Sequence, residues 1–255
     1  ESTCRKLREI FMKEEFVLQM ENELEKIGIN LTPCQMEKFF HYYRMLIEKN
    51  KVMNLTAITE EREVVTKHFV DSLSLVQVFP SLMEEGQKIS MMDVGTGAGF
   101  PGIPLAIAFP EHRVTLLDSL NKRVKFLREV SEELCLDKVE PIHGRAEDFG
   151  RDLHYREKYD FCVSRAVANL AVLAEYCLPF VKVGGIFAAY KSGDVDKEVE
   201  EAINAVQILG GRMDRVYSFV LPGTEIKRSF VVIRKERVLA KKYPRKAGIP
   251  GKEHL

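Results

Sequence analysis

The feature that most constrains the fold is a run of glycines directly after a short apolar segment. Residues 89–94 are mainly apolar, and glycines follow at Gly95, Gly97, Gly99 and Gly102. Glycine adopts positive φ angles and lets a ligand approach the main chain, but it lowers stability where nothing uses that freedom. Such a run between a strand and a helix is typical of a nucleotide-type pocket in a doubly wound α/β sheet. The sequence therefore predicts a parallel sheet with a ligand site at the end of its first strand.

Strand and helix patterns alternate from about residue 88 to residue 235. The predicted strands are Ile89–Val94, Arg113–Asp118, Val139–His143, Tyr159–Ser164 and Gly184–Lys191, with helices over 103–109, 121–136, 167–180 and 195–209. Two further strands, Val216–Leu221 and Ser229–Ile233, are separated by about seven residues, too few for a crossover helix, so we expect an antiparallel hairpin. The predicted class is α/β, with a Rossmann-like, mostly parallel sheet containing one antiparallel strand, as in class I S-adenosylmethionine methyltransferases.

The glycine run also matches the dinucleotide pattern G-x-G-x-x-G, a match that is weakly specific by itself. Asp93 precedes the first glycine by two residues, and its carboxylate suits the ammonium of a methionine moiety but would repel a pyrophosphate. Pro101 and Pro104 remove main-chain N–H donors that a pyrophosphate would use. With the hairpin, these features favour S-adenosylmethionine as cofactor, with S-adenosylhomocysteine as product. The expected contacts in this stretch are Asp93, Gly95, Thr96, Gly97 and Gly99.

Positions after the next two strands extend this expectation. Asp118 ends the second strand, where a carboxylate can accept both ribose hydroxyls, although it could instead cap the helix that begins near Asn121. Ala146 and Glu147 follow the third strand, at the crevice position of an adenine. Their main-chain N–H groups could read the edge of the base, and an acidic helix start fits the same spacing.

Three regions of the chain differ in composition. We expect residues 1–80 to form a helical extension packed on the core, residues 81–237 the methyltransferase domain, and residues 238–255 a flexible basic tail. Thr32 and Pro33 predict a helix entry, as N-cap and first turn. The chain has 38 Lys and Arg residues and 38 Asp and Glu residues, so its formal net charge is zero and gives no reason to expect nucleic-acid binding. The five cysteines have no metal-ligand spacing, and no apolar run suits a membrane span. A cytoplasmic monomer without a metal ion is expected.

Several motifs occur in an order that matches a known family: Asn54-Leu55-Thr56, Lys67 to Leu73, Asp93 to Gly102, Asp118 to Arg123, Ser164-Arg165-Ala166 and Lys241 to Lys246. From about residue 20 onward, the chain resembles the bacterial small-subunit ribosomal RNA guanine-N7 methyltransferases, also called glucose-inhibited division protein B. The resemblance implies N7 methylation of one guanosine in the 530 loop of 16S ribosomal RNA, with the small ribosomal subunit as partner. It also implies cofactor contacts at Gly95, Phe100, Ala146, Glu147 and Arg165, with Phe100 acting through apolar packing or its main chain.

The chemistry of guanine N7 agrees with the motifs that are present. N7 carries a lone pair and no proton, so methyl transfer needs positioning and charge management but no general base. Ser164-Arg165-Ala166 stands where an Asn-Pro-Pro-Tyr motif would favour an exocyclic amine. Cys34, after Pro33, starts a helix and suits a structural role better than that of a pyrimidine-methylating nucleophile. We therefore expect no catalytic acid or base, and Arg165 and Lys191 are the candidates for positioning.

The basic side chains expected to contact RNA are Lys122, Arg123, Lys191, Arg245 and Lys246. Lys122 and Arg123 begin a helix, where cations oppose the helix dipole, and RNA phosphates could offset that cost; a solvated surface is the alternative. Arg165 is expected to contact the cofactor or to position the target guanine, and the alternative for this side chain is a surface salt bridge. His68 and Asp71 share one helical face, and either line the site or are hydrogen-bonded in the core.

Two other functions stay open at this point. One is a methyltransferase that acts on a small molecule or a protein, which would not need a basic rim. The other is a ribosome-assembly factor that retains a cofactor pocket without turnover.

Overall fold

The structure, a computed structural model, describes residues 2–166 and 168–255, with side chains from residue 13 onward. Glu1 and Val167, where the predicted extension and the predicted helix over 167–180 begin, lie outside the described residues. The strands are β1 (Ser90–Val94), β2 (Arg113–Asp118), β3 (Val139–His143), β4 (Tyr159–Ser164), β5 (Val181–Ser192), β6 (Gly211–Val220) and β7 (Lys227–Lys235). They form one sheet in the order β3-β2-β1-β4-β5-β7-β6.

Strands β1 to β5 run parallel, and β7 lies antiparallel between β5 and β6. The predicted fold class and the terminal hairpin are therefore confirmed, and β2, β3 and β4 have the predicted bounds. The hairpin is longer than predicted. Strand β6 lies at the edge of the sheet and most of its side chains are half-buried or exposed, so the pattern of apolar residues does not mark where this strand begins and ends.

Helical segments precede the sheet: α1 (Ser2–Glu25), α2 (Pro33–Met53), α3 (Glu61–Val64) and α4 (Asp71–Leu73), with a π-helical turn, Val65–Val70, between the last two. Helix α2 begins, as predicted, at Thr32, whose hydroxyl accepts from the Gln35 N–H while the Gln35 side chain accepts from the Thr32 N–H. Farther along α2, Tyr42 is fully buried and its hydroxyl donates to the Ala98 carbonyl at 2.6 Å. The N-terminal helices thus contact the glycine-rich turn directly.

Helices cover both faces of the sheet. Helices α5 (Gly102–Ala108) and α6 (Asn121–Glu133) share one face with the N-terminal helices, and α7 (Ala146–Phe149), α8 (Leu170–Cys177) and α9 (Asp196–Ile208) cover the other. Helix α8 begins later than predicted because the Asn169 side chain caps it, accepting from the Ala171 N–H at 2.8 Å. It ends before Pro179, which cannot continue a helix. None of the helices in the described ranges is long and apolar enough to cross a membrane.

Residues 238–255, here called the C-terminal segment, form neither helix nor strand. They nevertheless lie against the sheet domain, with Leu239 and Tyr243 buried. The Arg156 guanidinium donates to the Leu239 carbonyl at 2.9 Å and to the Tyr243 carbonyl at 2.7 Å. The structure thus differs from the expected flexible tail. A composition dominated by Lys, Arg, Gly and Pro does not reveal anchors that the rest of the chain supplies.

Candidate active site

The turn after β1, residues 95–102, is here called the glycine loop. Gly95 and Gly97 have φ angles of 71° and 64°, which residues other than glycine rarely adopt. A Cβ atom at Gly97 would meet nothing within 4 Å, and one at Gly95 would lie 3.6 Å from the Ala166 Cβ. At Gly95 a side chain would be in van der Waals contact with Ala166, whereas at Gly97 open space borders the main chain. A ligand could approach it closely, as the sequence predicted for a cofactor.

Gly99 and Gly102 are required for a different reason. A Cβ at Gly99 would lie 2.6 Å from Ile103 Cγ1 and 2.7 Å from the Tyr42 hydroxyl. A Cβ at Gly102 would overlap Leu116 and lie 2.9 Å from Asp93 Oδ2. Both glycines allow the loop to pack against the core, and Gly99 in addition has a positive φ angle of 110°. The predicted contact between Gly99 and the cofactor stays a prediction.

Asp93, near the end of β1, is completely buried. Its Oδ2 accepts from the Thr96 hydroxyl at 2.7 Å and from the Gly102 N–H at 2.8 Å, whereas its Oδ1 has no hydrogen-bond partner in the described part of the chain. Burial raises the pKa of this carboxyl to about 7. A buried oxygen without a partner needs an explanation, and a cationic ligand group supplies one. Thr96 is itself buried and orients Asp93.

Asp118 ends β2 beside the glycine loop. Its Oδ2 accepts from the Gly97 N–H at 2.9 Å, its Oδ1 accepts from the Leu120 N–H at 2.8 Å, and Arg123 Nη1 lies 3.4 Å from Oδ2. Asp118 thus fixes the loop. It accepts from the N–H of Leu120, the N-cap residue of α6, but no side chain caps that helix, so the structure does not have Asp118 in the alternative role of N-cap. The Arg123 charge, for which RNA was the expected partner, is instead offset within the protein. Lys122 is exposed.

Ala146 and Glu147 form the first turn of α7, directly after β3. Their main-chain N–H groups have no acceptor within a helix at this position, as at every helix start. The Glu147 side chain is buried, and its Oε1 accepts from the Gly248 N–H at 2.8 Å. The carboxylate is therefore engaged by the C-terminal segment.

Phe100, at the far end of the glycine loop, is buried beneath two polar side chains. The His68 ring stacks on it with 4.4 Å between centroids, and the Arg165 guanidinium lies 5.0 Å from its ring centre. Tyr42 and Phe69 pack around the same ring. Phe100 is thus an apolar platform, in keeping with the packing role expected for it.

Arg165, after β4, is held from three directions. It donates to the Lys67 carbonyl at 3.2 Å, to Asp71 Oδ2 at 3.0 Å and to His68 Nδ1 at 3.0 Å. Asp71 is 2% exposed, and its Oδ1 accepts from Arg228 Nε at 2.9 Å. One buried carboxylate therefore joins two arginines, and the salt-bridge partner that sequence analysis allowed for Arg165 is buried rather than at the surface.

His68 lies in the π-helical turn, a feature that is frequent at functional sites. A guanidinium can only donate, so His68 Nδ1 accepts from Arg165 and Nε2 carries the proton, directed at the Thr56 hydroxyl 2.8 Å away. Burial, and then the Arg165 charge, lower the pKa of His68 to about 3. The ring is neutral and both of its nitrogens are engaged.

These side chains border a cleft of about 700 Å³, here called the arginine cleft, whose lining includes Lys67, His68, Asp71, Arg165, Ala166, Tyr190, Lys191 and Arg228. The Tyr190 hydroxyl donates to the Ser72 carbonyl at 2.7 Å. Ala166 adjoins both the cleft and Gly95, so the arginine cleft opens next to the glycine loop.

Besides Arg123, two further predicted RNA contacts are engaged within the protein. Lys191 Nζ lies 2.6 Å from Glu198 Oε1 and 2.6 Å from the Ala168 carbonyl, and its side chain is only 10% exposed. Arg245 pairs with the buried Glu175 through two nitrogen–oxygen contacts of 3.0 and 2.7 Å. Lys191 meets half-buried acceptors and Arg245 meets a buried carboxylate, and linear spacing does not reveal either partner. Lys246, in contrast, is exposed.

Sequence reasoning missed Arg228, Glu198 and Thr56 as site residues. Thr56 belongs to a motif that was recognised but given no role. Arg228 had no local signal, because it meets Asp71 only through the antiparallel pairing of β7 beside β5. Within residues 13–166 and 168–255, whose side chains the structure describes, no group of three or more His, Cys, Asp or Glu side chains is arranged to hold a metal ion.

Comparison with known protein families shows to which family this chain belongs. A family model described as "GidB: rRNA small subunit methyltransferase G" matches residues 35–229, which is most of the chain. The chain belongs to this family. The resemblance found in the sequence motifs is therefore confirmed.

Individual members of the family align along almost their whole length. The protein named ribosomal RNA small subunit methyltransferase G of Acetivibrio thermocellus is 52% identical over 228 residues, covering 89% of this chain and 92% of that protein. The protein of the same name from Alkaliphilus metalliredigens is 50% identical over 231 residues, covering 91% of this chain and 95% of that protein.

Solved structures support the fold independently. A crystal structure described as a sarcosine dimethylglycine methyltransferase from Galdieria sulphuraria aligns with a TM-score of 0.52 at 14% identity, covering 69% of this chain and 88% of that one. The structure of TYW2 from M. jannaschii in complex with AdoMet aligns with a TM-score of 0.50 at 15% identity, covering 64% of this chain and 76% of that one. At such identities the likeness establishes the class I methyltransferase fold alone.

Proposed function

We propose that this chain transfers the methyl group of S-adenosylmethionine to N7 of one guanosine in the 530 loop of 16S ribosomal RNA. The observation that carries the proposal is the arginine cleft, which lies beside a cofactor-type loop and in which His68, Asp71 and Tyr190 are already engaged by protein partners. The relatives named above are small-subunit ribosomal RNA methyltransferases. We extend their substrate class to this chain, as a cytoplasmic monomer acting on the small subunit.

The glycine loop fits the methyl donor. The unpaired Asp93 Oδ1 would receive the ammonium of the methionine moiety, directly or through water, and the main chain at Gly95 and Gly97 would lie along that moiety. A carboxylate has about four lone-pair positions, and three donors approach Asp118, which leaves room for a ribose hydroxyl. When bound, the cofactor supplies an electrophilic methyl group on a sulfonium.

The arginine cleft fits an acceptor that has no proton to lose. His68 is a weak base with both nitrogens occupied, and the two oxygens of Asp71 each accept from an arginine. Burial raises the pKa of Tyr190 well above its usual value. These groups can orient a flat aromatic ring, but they are poorly suited to remove a proton. Guanine N7 needs only such orientation.

Contacts with the RNA backbone are assigned to the first half of α6. Lys122, Lys125 and Arg128 are exposed there, while the acids Glu129, Glu132 and Glu133 follow at the C-terminal end. This order is opposite to the one that the helix dipole favours. The arrangement therefore serves something other than helix stability, and phosphate binding is consistent with it. A small-molecule substrate would not require it.

The test uses small ribosomal subunits from cells that lack the modification. The protein is incubated with these subunits and methyl-labelled cofactor, and the RNA is then treated with borohydride and aniline, which cleave at 7-methylguanosine. We expect label in 16S RNA and one cleavage site in the 530 loop. Subunits that already carry the modification serve as the control and should take up no label. If folded protein with bound donor left the RNA unlabelled, the proposal would be wrong.

A further inference from the structure

We infer that the C-terminal segment supports the cofactor site from outside the pocket, because it holds the Glu147 side chain in place. The inference rests on the proposed function, in which α7 lies beside the adenine of S-adenosylmethionine. Residues 238–255 lie beyond the range 35–229 that the family model matches. They add a support for α7 that the matched region does not include.

The attachment depends on a buried ion pair. Glu175 in α8 is 1% exposed and accepts from the Arg245 guanidinium at 3.0 and 2.7 Å. The Arg245 main-chain N–H also donates to Glu175 Oε1, at 2.7 Å. A buried carboxylate that loses its cationic partner is strongly disfavoured. Arg245 therefore fixes the position of the C-terminal segment on the domain.

A second contact reaches the cofactor side. Three residues after Arg245, the Gly248 N–H donates to Glu147 Oε1 at 2.8 Å. Glu147 is 4% exposed and begins the helix that follows β3. Gly248 has a φ angle of 83°, a conformation that suits glycine and directs its N–H toward α7. Release of this donor would leave a buried carboxylate short of a hydrogen bond in the first turn of α7.

Further anchors keep the C-terminal segment on α7. The Arg156 guanidinium joins the Gly150 carbonyl, directly after α7, to the Tyr243 carbonyl, with distances of 2.9 and 2.7 Å. Pro244 Cγ would lie 3.0 Å from a Cβ built on Gly150. Both ends of α7 are thus held by the same segment. Arg245 and Gly248 are positioning residues in this arrangement and do not touch the cofactor themselves.

The experiment measures the dissociation constant for S-adenosylhomocysteine by calorimetry, without RNA. Arg245→Ala is expected to weaken binding about tenfold, because the freed segment withdraws the Gly248 donor from Glu147. Amide hydrogen exchange of residues 146–150 should accelerate in the same variant. Lys241→Ala, at an exposed position of the same segment, is the matched control and should bind as the unaltered protein does.

A double-mutant cycle tests whether Arg245 affects cofactor affinity through Glu147. If Arg245 acts through Glu147, then Arg245→Ala should add less than about twofold in a Glu147→Ala background. Glu147→Gln retains an acceptor oxygen for the Gly248 N–H. Its affinity for S-adenosylhomocysteine should therefore be much closer to that of the unaltered protein than the affinity of Glu147→Ala is. Additive losses, or an Arg245→Ala affinity within about twofold of the unaltered protein, would overturn the inference. If Arg245→Ala does not fold, Arg245→Met, which keeps most of the side-chain length but removes the charge, is judged by the same criteria.

The outcomes separate this inference from the proposed function. Failure of the unaltered protein to bind S-adenosylhomocysteine would count against the cofactor assignment. Normal binding by the unaltered protein, with no change in the variants, would overturn only the role of the C-terminal segment.

Discussion

The glycine loop and the arginine cleft are neighbours, but they are built from the chain in different ways. Asp93 and the glycine loop form one continuous stretch, and their conformation follows from glycines and a buried carboxylate within ten residues. The arginine cleft takes His68 and Asp71 from the N-terminal helices, Arg165 from the end of β4 and Arg228 from β7. The glycine loop can therefore be recognised from the local sequence, although Asp118 and Tyr42 help to hold it, whereas the arginine cleft exists only in the folded chain.

The two regions also differ in how their charges are satisfied. In the arginine cleft, Asp71 has an arginine on each oxygen, so both oxygens of this carboxylate are paired before any ligand arrives, although two arginines and one aspartate leave a net positive charge. Beside the glycine loop, Asp93 keeps one buried oxygen without a partner. A buried oxygen without a hydrogen-bond partner favours binding of a ligand that can donate to it. Side chains that protein partners already hold in place favour positioning of a substrate. Donor binding and acceptor positioning should therefore be separable by substitution.

The largest expected effect is on methyl transfer from the arginine cleft. Asp71→Asn removes the charge that joins Arg165 to Arg228, and misplacement of such groups by about 1 Å costs roughly 100-fold in rate. We expect that loss in the single-turnover rate, with cofactor affinity nearly unchanged. Glu63→Gln, which breaks an exposed pair with Lys67, is the control and should have little effect. A parallel loss of cofactor affinity in Asp71→Asn would show that the two regions are not separable.

The next effect is on cofactor affinity from the loop side. Asp118→Ala removes the acceptor of the Gly97 N–H and the proposed ribose contact, and the loss of hydrogen bonds to a charged group corresponds to roughly 10- to 100-fold. Calorimetry with S-adenosylhomocysteine measures it. Arg123→Ala removes only a partly exposed partner of the same carboxylate at 3.4 Å and should change affinity little. Equal losses in the two variants would contradict the assignment.

The dependence of cofactor affinity on pH provides a third comparison. Burial raises the pKa of Asp93 to about 7, above its value in the unfolded chain, so the unliganded protein loses stability as the pH rises toward 7. The cofactor ammonium requires the ionised carboxylate. Affinity should therefore fall about tenfold for each pH unit below 7. Asp93→Asn should bind weakly at every pH, and a flat profile in the unaltered protein would contradict the role of Asp93.

The smallest effect is expected for RNA contacts outside both regions. The double variant Lys122→Ala with Lys125→Ala should weaken RNA binding about fivefold and lower the slope of log affinity against log salt by about two. Cofactor affinity should not change. Glu132→Ala with Glu133→Ala, at the opposite end of α6, is the matched control. An unchanged salt slope would place the RNA backbone elsewhere.

The same distinction explains what the sequence could predict. The strands β2, β3 and β4, the hairpin and the glycine loop each have a local signal, in apolar runs, chain length or glycine spacing, and the structure has all of them. Lys191 and Arg245 were expected to meet RNA because their type and position suit phosphate. Their partners, Glu198 and Glu175, lie 7 and 70 residues away, and only tertiary packing brings Arg245 to Glu175. Arg228 could not be found for the same reason.

In the proposed function, the arginine cleft positions an acceptor that has no proton to lose. The pH dependence of the single-turnover methyl-transfer rate, measured with saturating cofactor and small subunits, tests this role of the cleft. We predict a rate that varies less than about twofold from about pH 6 to about pH 8.5, because no group in the cleft must be deprotonated. A rate that rises about tenfold per pH unit over that range would reveal a general base and would contradict the account.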